Sequence, residues 1–196
     1  MTGIDVSENN GIIDWQAVAD SGIEFAFIRL GYGHRHLDSM FYDNYNGAKA
    51  AGLKVGVYYY SYALSEDDAE DEAAFVLETL DDAGITSDDI SMGIMFDMED
   101  ADNYKMSNGI YYDNQLLTNM CSVFINKVWD AGFNAMLYAS YDWLTNKLYV
   151  EQLGGVAICC AQYNSQCDFG GASMWQCTPE HQIPGNDCYF DLDVEL

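Results

Sequence analysis

An α/β chain whose eight strands close into a barrel is what this sequence predicts, on three observations. Short apolar runs alternate with amphipathic helical ones, the pattern of a parallel sheet with right-handed crossovers. Four helical stretches end in Ala-Gly or Ser-Gly, at 21–22, 51–52, 83–84 and 131–132. Glycine there supplies the left-handed cap that stops a helix before a strand. Eight runs read as strands, a number that favours closure over an open sheet. An open doubly wound sheet is the runner-up. It lacks its phosphate loop, because GYGH at 31–34 does not have G-x-G-x-x-G spacing.

The first strand, GIDVS (3–7), leads to a helix near 14–21, and EFAFIRL (24–30) to one near 41–51. KVGVYYY (54–60) precedes a helix at 66–82, and MGIMFDME (92–99) one at 111–131. FNAMLYA (133–139) is followed by a helix near 141–150. VAICCAQY (156–163), ASMWQC (172–177) and YFDLDV (189–194) complete the set with no helix between them. The expected fold is thus a TIM-like barrel of eight strands and about five helices, the last three strands joined by loops.

The 196 residues suit one domain, 1–196, able to bury a sizeable core. Half of them are apolar and 14% aromatic, which argues against disorder. No apolar run reaches the ~18 residues of a membrane span. The start, MTGIDVSENN, has neither the basic nor the apolar region of a signal peptide, so a signal for export would lie outside this chain. A net charge of −25 leaves no basic surplus to neutralise phosphates, which excludes nucleic acid as a partner. Much of that charge lies in 65–84, on the polar side of a helical pattern, and reads as a solvated acidic face.

Six cysteines occur without C-x-x-C or Cys/His spacing, so no zinc site is expected. Cys159 and Cys160 are adjacent on a strand and must face opposite ways, so one of them is a packed thiol. A disulfide among the others, involving the loop residues Cys167 and Cys188, is left open. His34 and His36 sit in a loop after a strand, and no metal role is assigned to them.

In such barrels the working groups stand at the C-terminal strand ends. Those ends hold Asp5, Arg29, the tyrosines from Tyr58 to Tyr62, Asp97 with Glu99, Tyr138, Gln162 with Tyr163, Trp175 with Gln176, and Asp191 with Asp193. Within MFDMED (95–100), alternation puts Asp97 and Glu99 on one face and turns Asp100 away. Two residues of rise separate their stems by roughly 6.6 Å. Glycoside hydrolysis asks for two carboxyls of this kind, one protonated to feed the leaving oxygen and one charged beside the oxocarbenium-like transition state. Like charge nearby raises the pKa of one member. The separation falls between retaining and inverting values and leaves the stereochemistry open. Each signal has a bland reading too. A strand-end acid often caps a helix, Trp175 can be core, at least two of the strand-three tyrosines are structural, and Arg29 either neutralises the acids or touches substrate.

Taken in order, GIDVSENNGIIDWQAV, FAFIRLGYG, DSMFYDNYNGAKAAGLKVGVYYYSYA, MFDMED, FNAMLYAS, AQYN, MWQCT and FDLDV resemble the glycoside hydrolase family 25 lysozymes, the Chalaropsis-type N-acetylmuramidases. The resemblance covers nearly the whole chain. It implies cleavage of the β-1,4 bond between N-acetylmuramic acid and N-acetylglucosamine of peptidoglycan, with retention, by a monomer that needs no cofactor or metal. Glu99 is then the general acid, Asp97 its carboxylate partner that orients the substrate's 2-acetamido group, and Asp5 and Asp191 the other pocket acids. Tyr60, Tyr138, Gln162, Trp175 and Arg29 would contact the saccharide. The resemblance also implies a secreted or wall-associated protein, or a phage endolysin released at lysis. One departure is Asp193, where members often carry Asn; it is expected to add an acid at the mouth. The acid load disfavours approach to anionic, teichoic-acid-rich walls. A non-catalytic glycan-binding barrel and a chitin-type glycosidase are the competing readings. The second lacks the longer acidic run of chitinases, since Gly93-Ile94-Met95-Phe96 precede Asp97.

Overall fold

The computed structural model describes residues 1–196. Its strands are β1 (Thr2–Val6), β2 (Phe25–Tyr32), β3 (His36–Leu37), β4 (Lys54–Tyr60), β5 (Gly93–Asp97), β6 (Ala135–Ser140), β7 (Ala157–Ala161), β8 (Met174–Gln182) and β9 (Tyr189–Glu195). The helices are α1 (Trp15–Asp20), α2 (Phe41–Ala50), α3 (Glu66–Asp82), α4 (Tyr104–Ser107), α5 (Asn114–Asp130) and α6 (Tyr141–Asn146). Eight strands close a barrel in the order β1-β2-β4-β5-β6-β7-β8-β9, and β9 pairs back onto β1. β3 pairs only with the end of β2. No helix is long and apolar enough to cross a membrane.

The helix stops behave as their sequence predicts: the glycine after each one has a positive φ, from 66° at Gly84 to 92° at Gly22. Side-chain caps start the helices that carry most of the outer layer. Ser65 Oγ accepts from the Asp68 amide and Asp113 Oδ1 from the Leu116 amide. Two elements had no sequence signal, because two-residue β3 and one-turn α4 are shorter than any hydrophobic period.

One expectation is corrected. The sheet is not parallel throughout, since β9 runs antiparallel to both β8 and β1. Loop 183–188 is too short for a crossover, which needs a dozen residues or more, so the chain returns as a hairpin. The catalytic end of the barrel therefore meets the beginning of β9, not its end. Asp191 stands near the rim, and Asp193, expected at the mouth, lies two residues deeper and is completely buried.

Alternation along the strands gives the barrel two cores. Ile4, Val57, Tyr59, Phe96, Leu137 and Cys160 face outward against Val76, Leu80 and Phe124 of the helices. Phe25, Phe27, Met95, Met136, Cys159 and Met174 point inward and fill the lower lumen. The adjacent thiols Cys159 and Cys160 thus take opposite faces, and all six cysteines are unpaired. Glycines make room for the two lumen phenylalanines. A Cβ at Gly3 would lie 2.2 Å from the Phe25 ring, and one at Gly56 2.4 Å from the Phe27 ring. With its base plugged in this way, the lumen is open only at the end where the acids stand.

Gly56→Ala should overpack the plug and cost about 2 kcal/mol, lowering Tm by roughly 5 °C. A variant as stable as the parent in thermal unfolding would show that the lumen is loose.

Candidate active site

Above the plug, the inward positions turn polar. β5 runs Met95, then Asp97, with Glu99 just past its end; β4 presents Tyr58 and Tyr60, and β6 presents Tyr138. Asp5 of β1 lies opposite Asp191 of β9, and Gln176 of β8 follows Met174 on the inner face. With Tyr163 these side chains enclose a cavity of about 200 Å³.

Hydrogen bonds tie its wall together. Tyr138 Oη and Tyr163 Oη both donate to Gln176 Oε1 at 2.9 Å. Gln176 Nε2 in turn donates to Asp5 Oδ2 at 2.8 Å. Asp97 is 6% exposed, and its Oδ1 has no donor. The Glu99 backbone is held from behind by a buried lysine. Lys105, 1% exposed, donates from Nζ to the Glu99 carbonyl at 2.9 Å and to the Ser61 carbonyl. Asp100, turned away from the lumen, caps the helix that delivers this lysine, accepting from the Lys105 and Met106 amides at 2.6 and 3.0 Å. Behind the same wall, Glu72 accepts from the Tyr62 amide at 2.8 Å.

Every acid of the cavity holds its proton more tightly than usual. Burial raises Asp97 well above the carboxylate range, with the charges of Glu99 and Asp5 adding to it. Burial also raises Glu99; the Lys105 ammonium opposes this and Asp191 reinforces it. Asp5 is pushed up to about 8 by burial and then by Asp191, and Asp191 is raised by burial. Burial and mutual repulsion thus favour the protonated form of the Asp97/Glu99 pair, and Asp97 Oδ1 has no hydrogen-bond donor.

Of the residues the sequence singled out, Asp5, Asp97, Glu99, Asp191, Tyr60 and Tyr138 meet in this cavity. Three do not line it. Gln162 is folded onto Asp168, donating from Nε2 to its carboxylate and accepting from its amide, each at 2.7 Å. Trp175 lies one residue from inward Gln176 and so takes the other face, where its Nε1 donates to the Gln162 carbonyl at 2.7 Å. Arg29 is occupied by Asp38 at 2.7 Å and Glu8 at 3.0 Å. It borders a neighbouring hollow of about 260 Å³ that shares Tyr60 with the cavity. Of its two open roles, neutralisation is the one the geometry shows, and the acids concerned are Glu8 and Asp38. His34 and His36 line a further hollow with Tyr32, Tyr62 and Tyr104. No three acidic, histidine or cysteine side chains converge as metal ligands.

Sequence reasoning missed Gln176 as the pocket's link between acid and tyrosines, although counting in twos from Met174 finds it. Tyr163, placed at a strand end beside Gln162, was passed over for its neighbour, because β7 ends at Ala161 and alternation no longer tells the two apart. Lys105 had none either, since a lysine on a four-residue helix reads as surface.

Residues 4–186 match the sequence profile of Glycosyl hydrolases family 25. The "Autolytic lysozyme" of Clostridium acetobutylicum is 40% identical over 80 residues, 41% of this chain and 24% of that protein. "Lysozyme M1" of Streptomyces globisporus is 39% identical over 59 residues, 30% of this chain and 20% of that protein. The aligned stretches therefore span less than a quarter of these curated relatives' length. A family 25 glycosyl hydrolase from Bacillus anthracis superposes with a TM-score of 0.83 at 22% identity, over 100% of this chain and 88% of that one. The modular autolysin LytC from Streptococcus pneumoniae, in complex with a synthetic peptidoglycan ligand, gives 0.87 at 24%, over 98% and 46%. At these identities the superpositions speak for the shared barrel.

Burial has a consequence for stability. Asp5 moves from 3.8 to about 8 on folding, and Glu72 from 4.5 to about 8, so the folded protein holds protons that the unfolded chain releases. Their contribution is full below about pH 4 and is lost as the pH rises through about 8. Tm should fall across that window, and Asp5→Asn should flatten the slope. A Tm that climbs over the same range would contradict the buried, proton-holding lumen.

Proposed function

The chain belongs to Glycosyl hydrolases family 25, and on that premise we propose that it is a lysozyme that cleaves the β-1,4 bond between N-acetylmuramic acid and N-acetylglucosamine of peptidoglycan, with retention. The observation that carries this reading is the buried Asp97 beside the half-buried Glu99 in one cavity, with burial raising both carboxyls.

Glu99 is the member that donates. It is the less enclosed of the two, and Lys105 fixes its backbone at the cavity edge. Its proton passes to the leaving glycosidic oxygen as the bond to the anomeric carbon breaks. Asp97, deeper and ionised once the proton sits on Glu99, accepts a hydrogen bond from the substrate's 2-acetamido N–H. That orients the acetamido oxygen toward the anomeric carbon, and the positive charge growing on the sugar balances the two carboxylates. Water then attacks the cyclic intermediate, giving its proton back to Glu99, and two inversions leave the configuration retained. Asp5 and Asp191 line the cavity with the pair, and the fraction of them that ionises adds negative potential that favours the cationic transition state. Tyr60 and Tyr138 offer faces and hydroxyls to the sugar. The substrate puts the site of action outside the cytoplasmic membrane, for a secreted, wall-associated or lysis-released protein.

Glu99→Gln keeps the shape and removes the proton donor. Release of reducing ends from purified peptidoglycan should fall by at least about a hundredfold while Tm stays near the parent value. A variant that clears a peptidoglycan suspension at the wild-type rate would remove Glu99 from the mechanism.

A further inference from the structure

Asp193 is a lumen acid that the reaction above leaves without a task. It lies on β9, opposite Gly3 of β1 and Gln176 of β8, and none of its surface is exposed. No donor reaches either of its carboxyl oxygens. A buried carboxylate in that position costs several kcal/mol unless it is paired, and the cheapest relief is to take up a proton. The proton changes what the group can do. A neutral carboxyl has one hydrogen to give, and the acceptor beside Asp193 is the carboxyl of Asp5, which Gln176, opposite Asp193 on β8, holds over it. Asp5 is already gripped on Oδ2 by Gln176.

We propose that Asp193 is a positioning residue: it stays neutral and donates a hydrogen bond to Asp5, so that Asp5, clamped between Gln176 and Asp193, is the member of the pair that ionises first as the pH rises. The proposal rests on the hydrolase reading of this cavity. The titratable groups facing Asp193 are Asp5 from β1, Asp191 on its own strand, the Cys159 thiol from β7 and the Cys177 thiol from β8. None of them is a cation, so nothing nearby draws the proton away, and burial with the two acids holds it in place. The consequence reaches the reacting pair through Asp5, whose charge is felt by Asp97 and which itself feels Glu99. Asp193 thereby fixes which carboxyl of the floor gives up its proton first.

Wild type, Asp193→Asn and Asp193→Leu separate this role from a structural one, with Tm checked on each. Carbon-13 NMR titration of the aspartate carboxyls should show Asp193 neutral through neutral pH in the wild type. Asn, itself a neutral donor, should leave the Asp5 ionisation in place and kcat on purified peptidoglycan within about threefold. Leu, which cannot donate, should move Asp5 up by roughly one pH unit and displace the pH profile of kcat, which drops about tenfold at unchanged KM. An Asp193 that ionises below neutral pH overturns the proposal. So does an Asp5 titration unmoved in Leu, or an Asn variant as impaired as Leu. The titration needs no turnover, so an inactive wild type would sink the hydrolase reading while the Asp5–Asp193 hydrogen bond is still scored.

Discussion

Five carboxyl groups share the upper lumen of a barrel whose lower half is filled with phenylalanine, methionine and a cysteine thiol, and so crowded, three of them buried, they resist ionising together. Removing a carboxylate from water costs more than any single hydrogen bond here returns. The fold meets that constraint by keeping protons. Asp97, Glu99, Asp5, Asp191 and Asp193 are all raised, and burial is the first cause in each case. A set of acids whose protons are held this tightly costs the folded chain stability as the pH rises and is serviceable for acid catalysis. The apolar plug produces both effects.

The surrounding structure assigns unequal environments to these acids. Lys105, brought in by the short helix that Asp100 caps, holds the Glu99 backbone at the rim and tempers its rise. Asp97 is buried deeper, and there the lysine's pull comes behind burial and the charges of Glu99 and Asp5. Gln176 couples Asp5 to two tyrosine hydroxyls, so a shift at the floor is passed to the wall. The reversal of β9 is what sets Asp191 across from Asp5 and sinks Asp193 beneath them.

Much of this was legible in the sequence because strands in a barrel obey a period of two. That period placed Asp97 and Glu99 together, turned Asp100 outward and split Cys159 from Cys160. It also separates Gln176 from Trp175, so a stricter count would have chosen the glutamine. The reversed last strand was written in the short loop 183–188 but was masked by the even run of eight strand patterns. The role of Lys105, and the choice of Tyr163 over Gln162, were beyond reach for a different reason. Their positions depend on a single helical turn and on a bend after β7, where no periodicity exists to read. Arg29 was read as neutralising acids or touching substrate, but its partners, Glu8 and Asp38, lie outside the strands, where only the fold reveals their approach.

Purified peptidoglycan digested to completion, with the new reducing ends identified by mass spectrometry and their first-formed anomer by proton NMR, tests the central claim most directly. The account predicts N-acetylmuramic acid at the new ends, released in the β configuration. N-acetylglucosamine at those ends, or an α anomer formed first, would contradict the roles given to Glu99 and Asp97.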